Sequence, residues 1–139
     1  MVQFHIDRLF QSDAEKIWQF LTDFEARESK KMKVKIIEPG DPNNNQVGLI
    51  REIQMNGKSI REKILSVIPK ESIEYQLIGG APVYDYFGTI FVYPERVGTT
   101  VRWVTTFKTK FPWPEWLVKK RAMRFIEGIL MDMEQAVQG

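Results

Sequence analysis

The chain has 139 residues, the length of one domain, and its 43% hydrophobic and 27% charged residues are ordinary for a globular protein. Twenty basic residues against eighteen acidic ones leave +2, too little to argue for a nucleic-acid partner. With no cysteine, disulfides, thiolate catalysis and cysteine metal sites are excluded, and no apolar run approaches the ~20 residues that cross a bilayer.

The first residues, Met1 to Asp7, lack the basic and apolar blocks of a signal peptide, so a cytoplasmic location is the expectation. Residues 2–9 alternate, Phe4 and Ile6 against His5 and Asp7, and read as a strand. Ser12-Asp13-Ala14-Glu15 has the capping-box form, with Ser12 as the cap. Ala14, Ile17, Trp18, Leu21 and Phe24 follow at helical spacing, which predicts a short helix over 13–22. Residues 24–33 read as a second short helix or turn, 33–38 as a strand, and Pro39 to Asn45 as a loop.

Asn56-Gly57 suits the positive backbone angles of a type I′ turn and predicts a hairpin of residues 47–55 and 58–68. A two-residue loop fixes the register. Met55 then faces Lys58, Ile53 faces Ile60, Arg51 faces Glu62 and Leu49 faces Ile64. The other side pairs Gln54 with Ser59, Glu52 with Arg61 and Ile50 with Lys63. Both acid–base pairs come out complementary, as cross-strand neighbours prefer.

Strands 72–78, 83–93 and 99–109 follow, with a loop at Gly79-Gly80-Ala81-Pro82 and a turn at Pro94–Gly98. Pro114 is placed like a first-turn proline, and one long helix runs from there to Val137. Its apolar stripe is Val118, Ala122, Phe125, Ile126, Ile129, Leu130, Met133 and Val137. The order predicts a single α+β domain over residues 1–139. A curved antiparallel sheet of about seven strands wraps the long C-terminal helix, with two short helices after the first strand. Such a sheet cannot close everywhere on one helix, so a cavity between them is expected.

The whole chain resembles the START, polyketide-cyclase and pollen-allergen (SRPBCC) superfamily with its helix-grip fold. The resemblance rests on Ala14 to Trp18 with Leu21 to Phe24, on Gly48 with Arg51, and on Arg61 to Ile64. Tyr75 through Gly79-Gly80, and Gly98 to Trp103 followed by Phe107, complete it. It implies a cavity for a small hydrophobic molecule or lipid. Glu62 and Tyr86 are also similar to ligand-contacting positions of the plant hormone-receptor branch, with Gly79 to Pro82 at the place of its gate loop.

Arg51 and Glu62 fall on the more apolar hairpin face with Ile64, where an ion pair can orient a polar ligand head or simply bridge two strands. Tyr75, Tyr84, Tyr86 and Trp103 each offer a flat apolar body with one hydrogen-bonding tip, suited to a ligand or to core packing. Alternation puts Tyr84, Tyr86, Gly88 and Ile90 on one face of their strand, with Asp85, Phe87, Thr89, Phe91 and Tyr93 on the other. The expected ligand-binding set is Arg51, Glu62, Ile64, Tyr75, Tyr84, Tyr86, Trp103, Phe107, Phe125, Ile126 and Ile129. No catalytic residue, metal site or cofactor is expected; His5, the lone histidine, reads as a surface strand residue.

Phe87 and Phe91 offer a homodimer contact, so a monomer and a homodimer both stay open. The segment Lys110 to Trp116, continued by Lys119, Lys120, Arg121 and Arg124, interleaves aromatic and basic residues. It fits either a solvated face with Trp113 and Trp116 at the cavity mouth or transient contact with an anionic membrane. The functional expectation is binding of a lipid, polyketide or aromatic metabolite. The alternatives are a polyketide cyclase or dehydratase acting through Glu62, Arg51 or a tyrosine, and lipid or quinone transfer at a membrane.

Overall fold

A computed structural model describes residues 1–24, 27–28, 32–55 and 57–138. The strands are β1 (Val2–Phe10), β2 (Arg27–Glu28), β3 (Met32–Glu38), β4 (Ile50–Met55), β5 (Lys58–Ile68), β6 (Ser72–Gly79), β7 (Val83–Glu95) and β8 (Gly98–Thr109). Helix α1 spans Ala14–Thr22 and helix α2 spans Glu115–Gln138. All strands join one antiparallel sheet of eight, in the order β1-β8-β7-β6-β5-β4-β3-β2. Among the described residues only the β1–β8 pairing is non-sequential. It brings the N-terminal strand beside the last one, so α1 and α2 meet over one face of the sheet.

The hairpin register matches the expectation pair for pair, from Met55 opposite Lys58 to Ile50 opposite Lys63. Gly48 N–H to Ile64 O and Ile64 N–H to Leu49 O continue it beyond β4. Asn56, on which the turn type rested, lies outside the described residues. Leu49, Ile53 and Met55 are buried on the inner face, while Glu52 and Arg61 pair at 3.2 Å on the outer one.

Three local expectations are corrected. The cap of α1 is Asp13 rather than Ser12: its backbone is extended, and its Oδ1 accepts from Lys16 N–H at 2.8 Å. The Ser12 carbonyl instead accepts from Thr99 Oγ1 at 2.9 Å, which ties the helix entry to β8. The second short helix is replaced, at Arg27 and Glu28, by strand β2 on the free edge of β3. There, ladder hydrogen bonds override the helical propensity of a Glu-, Ala- and Lys-rich segment; residues 25, 26 and 29–31 lie outside the described set. The β7–β8 turn is tighter than expected, with Glu95 opposite Gly98 and Pro94 still paired with Thr99.

β-Bulges in β3, β5 and β7 interrupt the ladders and bend the sheet around α2. Every stripe residue of α2 turns toward the sheet, with Leu130 and Met133 fully buried and Ile126 nearly so. Helix and sheet are in close contact at Gly128, where a Cβ would sit 2.9 Å from Met55 Sδ. Beyond this contact, toward the N-terminal half of α2, helix and sheet separate.

Candidate functional site

The separation encloses a cavity of about 310 Å³ between α2 and strands β5 to β8, within the size range of small-molecule pockets. Ile60, Leu77, Val118, Ala122, Phe125, Ile126 and Ile129 form apolar walls. Glu62, Tyr75, Tyr86 and Trp103 add polar tips among them. The loop Gly80-Ala81-Pro82, with Lys58, Trp113 and Arg121, forms the rim. Gly80 has φ +95°, and a Cβ there would sit 2.2 Å from Ser59 O, so the loop packs directly on the start of β5.

The polar floor is built across three strands. Tyr75 on β6 stands opposite Gly88 on β7, and Gly88 stands opposite Thr105 on β8. A Cβ at Gly88 would lie 2.3 Å from Tyr75 Cζ, so the bare backbone is what lets the tyrosine ring lie across β7. Its hydroxyl then accepts a hydrogen bond from Trp103 Nε1 at 2.8 Å, with the rings edge to face at 82°. Having accepted from Trp103, the Tyr75 hydroxyl retains its own proton to donate. Tyr86 enters from β7, stacked on Phe107 at 5.2 Å between centroids. Burial pushes the Tyr75 phenol well above its ordinary range, and the neighbouring Tyr86 and Glu62 add to this. Burial likewise raises the Tyr86 phenol to about 12. Both remain protonated donors at neutral pH. Thr105 Oγ1 lies beside the Tyr86 hydroxyl, fully buried.

Glu62 is 4% exposed and is neutralised by Arg51. Arg51 Nε donates to Glu62 Oε1 at 2.7 Å, and Nη2 lies 2.7 Å from the same oxygen as an ion pair. No described residue bonds Oε2, which leaves that acceptor for the cavity Glu62 lines. The guanidinium also packs over the Phe24 ring, 5.3 Å from its centroid. Arg51 itself faces a separate void of about 20 Å³ under α1, whose wall Glu62, Trp103 and Ile129 share with the main cavity. It therefore holds the Glu62 carboxylate from behind and does not line the main cavity.

Of the expected set, the cavity brings together Glu62, Tyr75, Tyr86, Trp103, Phe125, Ile126 and Ile129. Ile64 and Phe107 are buried behind the wall, each 1% exposed. Tyr84 is corrected: it is 48% exposed on the outer face, near Lys108. The register shifts by one residue between Tyr84 and Phe87, and Asp85 at the shift has φ +52°. One extra residue in a strand reverses the facing of everything before it. Trp113 reaches the cavity rim, whereas Trp116 is 68% exposed beside it. Ile60, expected on the inner hairpin face but not in the ligand-binding set, lines the cavity, as does Leu77, which alternation from Tyr75 places on the inner face. The sequence reading missed the rim cation Lys58.

His5 is exposed on β1, and among the described residues no three His, Cys, Asp or Glu side chains gather to hold a metal ion. None of the described helices is long and apolar enough to cross a membrane.

A bent antiparallel sheet gripping a long C-terminal helix around an interior cavity is the helix-grip architecture. By sequence, residues 1–138 match the family described as polyketide cyclase/dehydrase and lipid transport, and the chain belongs to that family. A START superfamily protein from Mycobacterium smegmatis is similar in structure, with TM-score 0.75 and 17% identity, covering 99% of this chain and 96% of that one. Ara h 8.0201 superposes with TM-score 0.73 at 17% identity over 99% and 97% of the two chains. Norcoclaurine synthase from Thalictrum flavum, solved in complex with dopamine and hydroxybenzaldehyde, gives TM-score 0.66 at 20% identity over 99% and 86%. These likenesses establish the fold. Among curated protein sequences none matches the chain.

Proposed function

We propose that this domain binds a small hydrophobic or amphipathic molecule, a lipid, polyketide or aromatic metabolite, inside the cavity. The observation that carries the reading is the cavity of about 310 Å³ with apolar walls and a floor of pre-positioned polar tips. Affinity comes from apolar burial, at about 25 cal/mol per Å². Orientation comes from the Tyr75 and Tyr86 hydroxyls as donors and from Glu62 Oε2 as acceptor. A cyclase or dehydratase would need an acid or base whose pKa lies near the working pH. Burial moves both phenols away from that range, so neither tyrosine is suited to that role.

Calorimetric titration with naphthaleneacetamide, a neutral bicyclic probe, tests the reading. Saturable binding at one site is expected, abolished by Ala122→Trp, which fills the cavity from α2. Absence of saturable binding to the wild type, or full binding to a folded Ala122→Trp variant, overturns it.

A second reading, loading at an anionic membrane, is favoured by one observation. Phe111 is 97% exposed and Trp116 68% exposed beside the cavity rim, with Lys119, Lys120 and Arg124 around Trp116. Aromatic rings at headgroup depth with cations outside suit such a surface. Co-sedimentation with phosphatidylserine vesicles, weakened by salt and by Phe111→Ser/Trp116→Ser, is the expected result; no co-sedimentation at low salt removes the reading.

A further inference from the structure

We infer that the molecule held in this cavity carries an anionic group, a carboxylate or phosphate, at the end that lies in the mouth between Lys58 and Arg121. This rests on the cavity-binding reading and adds the chemical class of the ligand.

Three charged side chains line the cavity: Lys58, Glu62 and Arg121. The negative one is already matched, because Arg51 holds Glu62 Oε1 by a hydrogen bond and an ion pair, both at 2.7 Å. The two cations are not. Neither Lys58 nor Arg121 has a carboxylate partner among the described residues; Arg121 packs over the Trp113 ring, 5.5 Å from its centroid. That contact holds the guanidinium at the rim. The lining of the cavity therefore carries two uncompensated positive charges, both at its entrance.

The two cations come from different elements and converge on one cavity mouth. Lys58 belongs to the same side of β5 as Ile60 and Glu62, the side that faces α2. Arg121 belongs to the second turn of α2 and meets Lys58 across the cavity mouth. An anion at the mouth would offset both charges. Lys58 and Glu62 are four residues apart on one strand, about 13 Å at the usual rise. The fitting molecule is thus amphipathic at both ends, an apolar body with a hydroxyl or carbonyl toward Tyr75 and Tyr86 and an anion at the rim.

The test uses naphthols with a carboxylate or, as the neutral control, a carboxamide on the far ring, together with naphthyl phosphate. Exposed ion pairs contribute little each, so the carboxylate is expected to bind about 5–20-fold more tightly than the carboxamide at low salt. Salt should narrow the gap, and Lys58→Gln/Arg121→Gln should lower carboxylate affinity more than carboxamide affinity and so close it. Comparing the carboxylate with naphthyl phosphate shows which anion the rim prefers. Equal affinity for the carboxylate and carboxamide in wild type overturns the anion inference and leaves cavity binding standing. Failure of all the probes to bind overturns the cavity reading and the anion inference with it.

Discussion

Trp103 on β8 donates to Tyr75 on β6 across 2.8 Å, although β7 runs between their strands. Neighbouring strands lie about 4.8 Å apart, so the tyrosine must reach over an entire strand. Gly88 makes the crossing possible, since any Cβ there would overlap the ring. The floor of the cavity thus depends on a residue with no side chain.

Gly88→Ala should destabilise the fold by about 1–3 kcal/mol, the usual cost of overpacking a core. Tyr75→Leu in the same chain should recover part of that loss, because the clash is with the tyrosine ring. Urea unfolding of the two single variants and the double variant measures the coupling. Additive losses would show that Gly88 and Tyr75 do not share the space.

Arg51 and Glu62 are a nearly buried ion pair, with side chains 13% and 5% exposed. Removing one partner strands the other, so Arg51→Met should cost about 3–5 kcal/mol. Arg51→Met/Glu62→Leu should be more stable than Arg51→Met alone, since neither charge then remains buried. A double variant that is weaker than the single one would contradict this assignment.

The buried phenols set an alkaline limit. The Tyr86 phenol is raised to about 12 and that of Tyr75 is also raised, above the ~10 of an unfolded tyrosine. The folded state keeps protons that the unfolded chain releases. Stability is therefore complete below pH ~10 and is lost as pH rises from there through the folded values. Tyr86→Phe should make the loss between pH ~10 and ~12 shallower. Unfolding free energies across that range, compared with wild type, provide the check; an unchanged slope would count against the burial of Tyr86.

Asp85 holds φ +52° at the bulge that turns Tyr84 outward. Asp85→Gly should be nearly neutral, whereas Asp85→Val should cost about 1–2 kcal/mol, because a β-branched residue resists the left-handed region. Thermal unfolding distinguishes the two variants. Equal melting temperatures would mean that the bulge relaxes away.

Much of this was legible in the chain itself. Asn56-Gly57 marked one hairpin, and its two-residue spacing carried the β4–β5 register, hence the meeting of Arg51 with Glu62. Helical spacing gave the inner stripe of α2. The failures have a common cause. Alternation assumes an unbroken strand, and the bulge at Asp85 breaks it, so Tyr84 was placed inside. A glycine within an aromatic strand signals close approach, but nothing local says that the approaching group is Tyr75 from the next strand. Arg51 was rightly placed on the inner face; that it faces a smaller void behind Glu62 depends on where α1 packs, which no local pattern encodes.

Native mass spectrometry of the chain purified from its own cells probes most directly whether the space beneath α2 is occupied by a guest. A small-molecule mass should travel with wild type, depart on denaturation and be missing from a folded Ala122→Trp variant. A bare polypeptide mass from wild type and variant alike would contradict it.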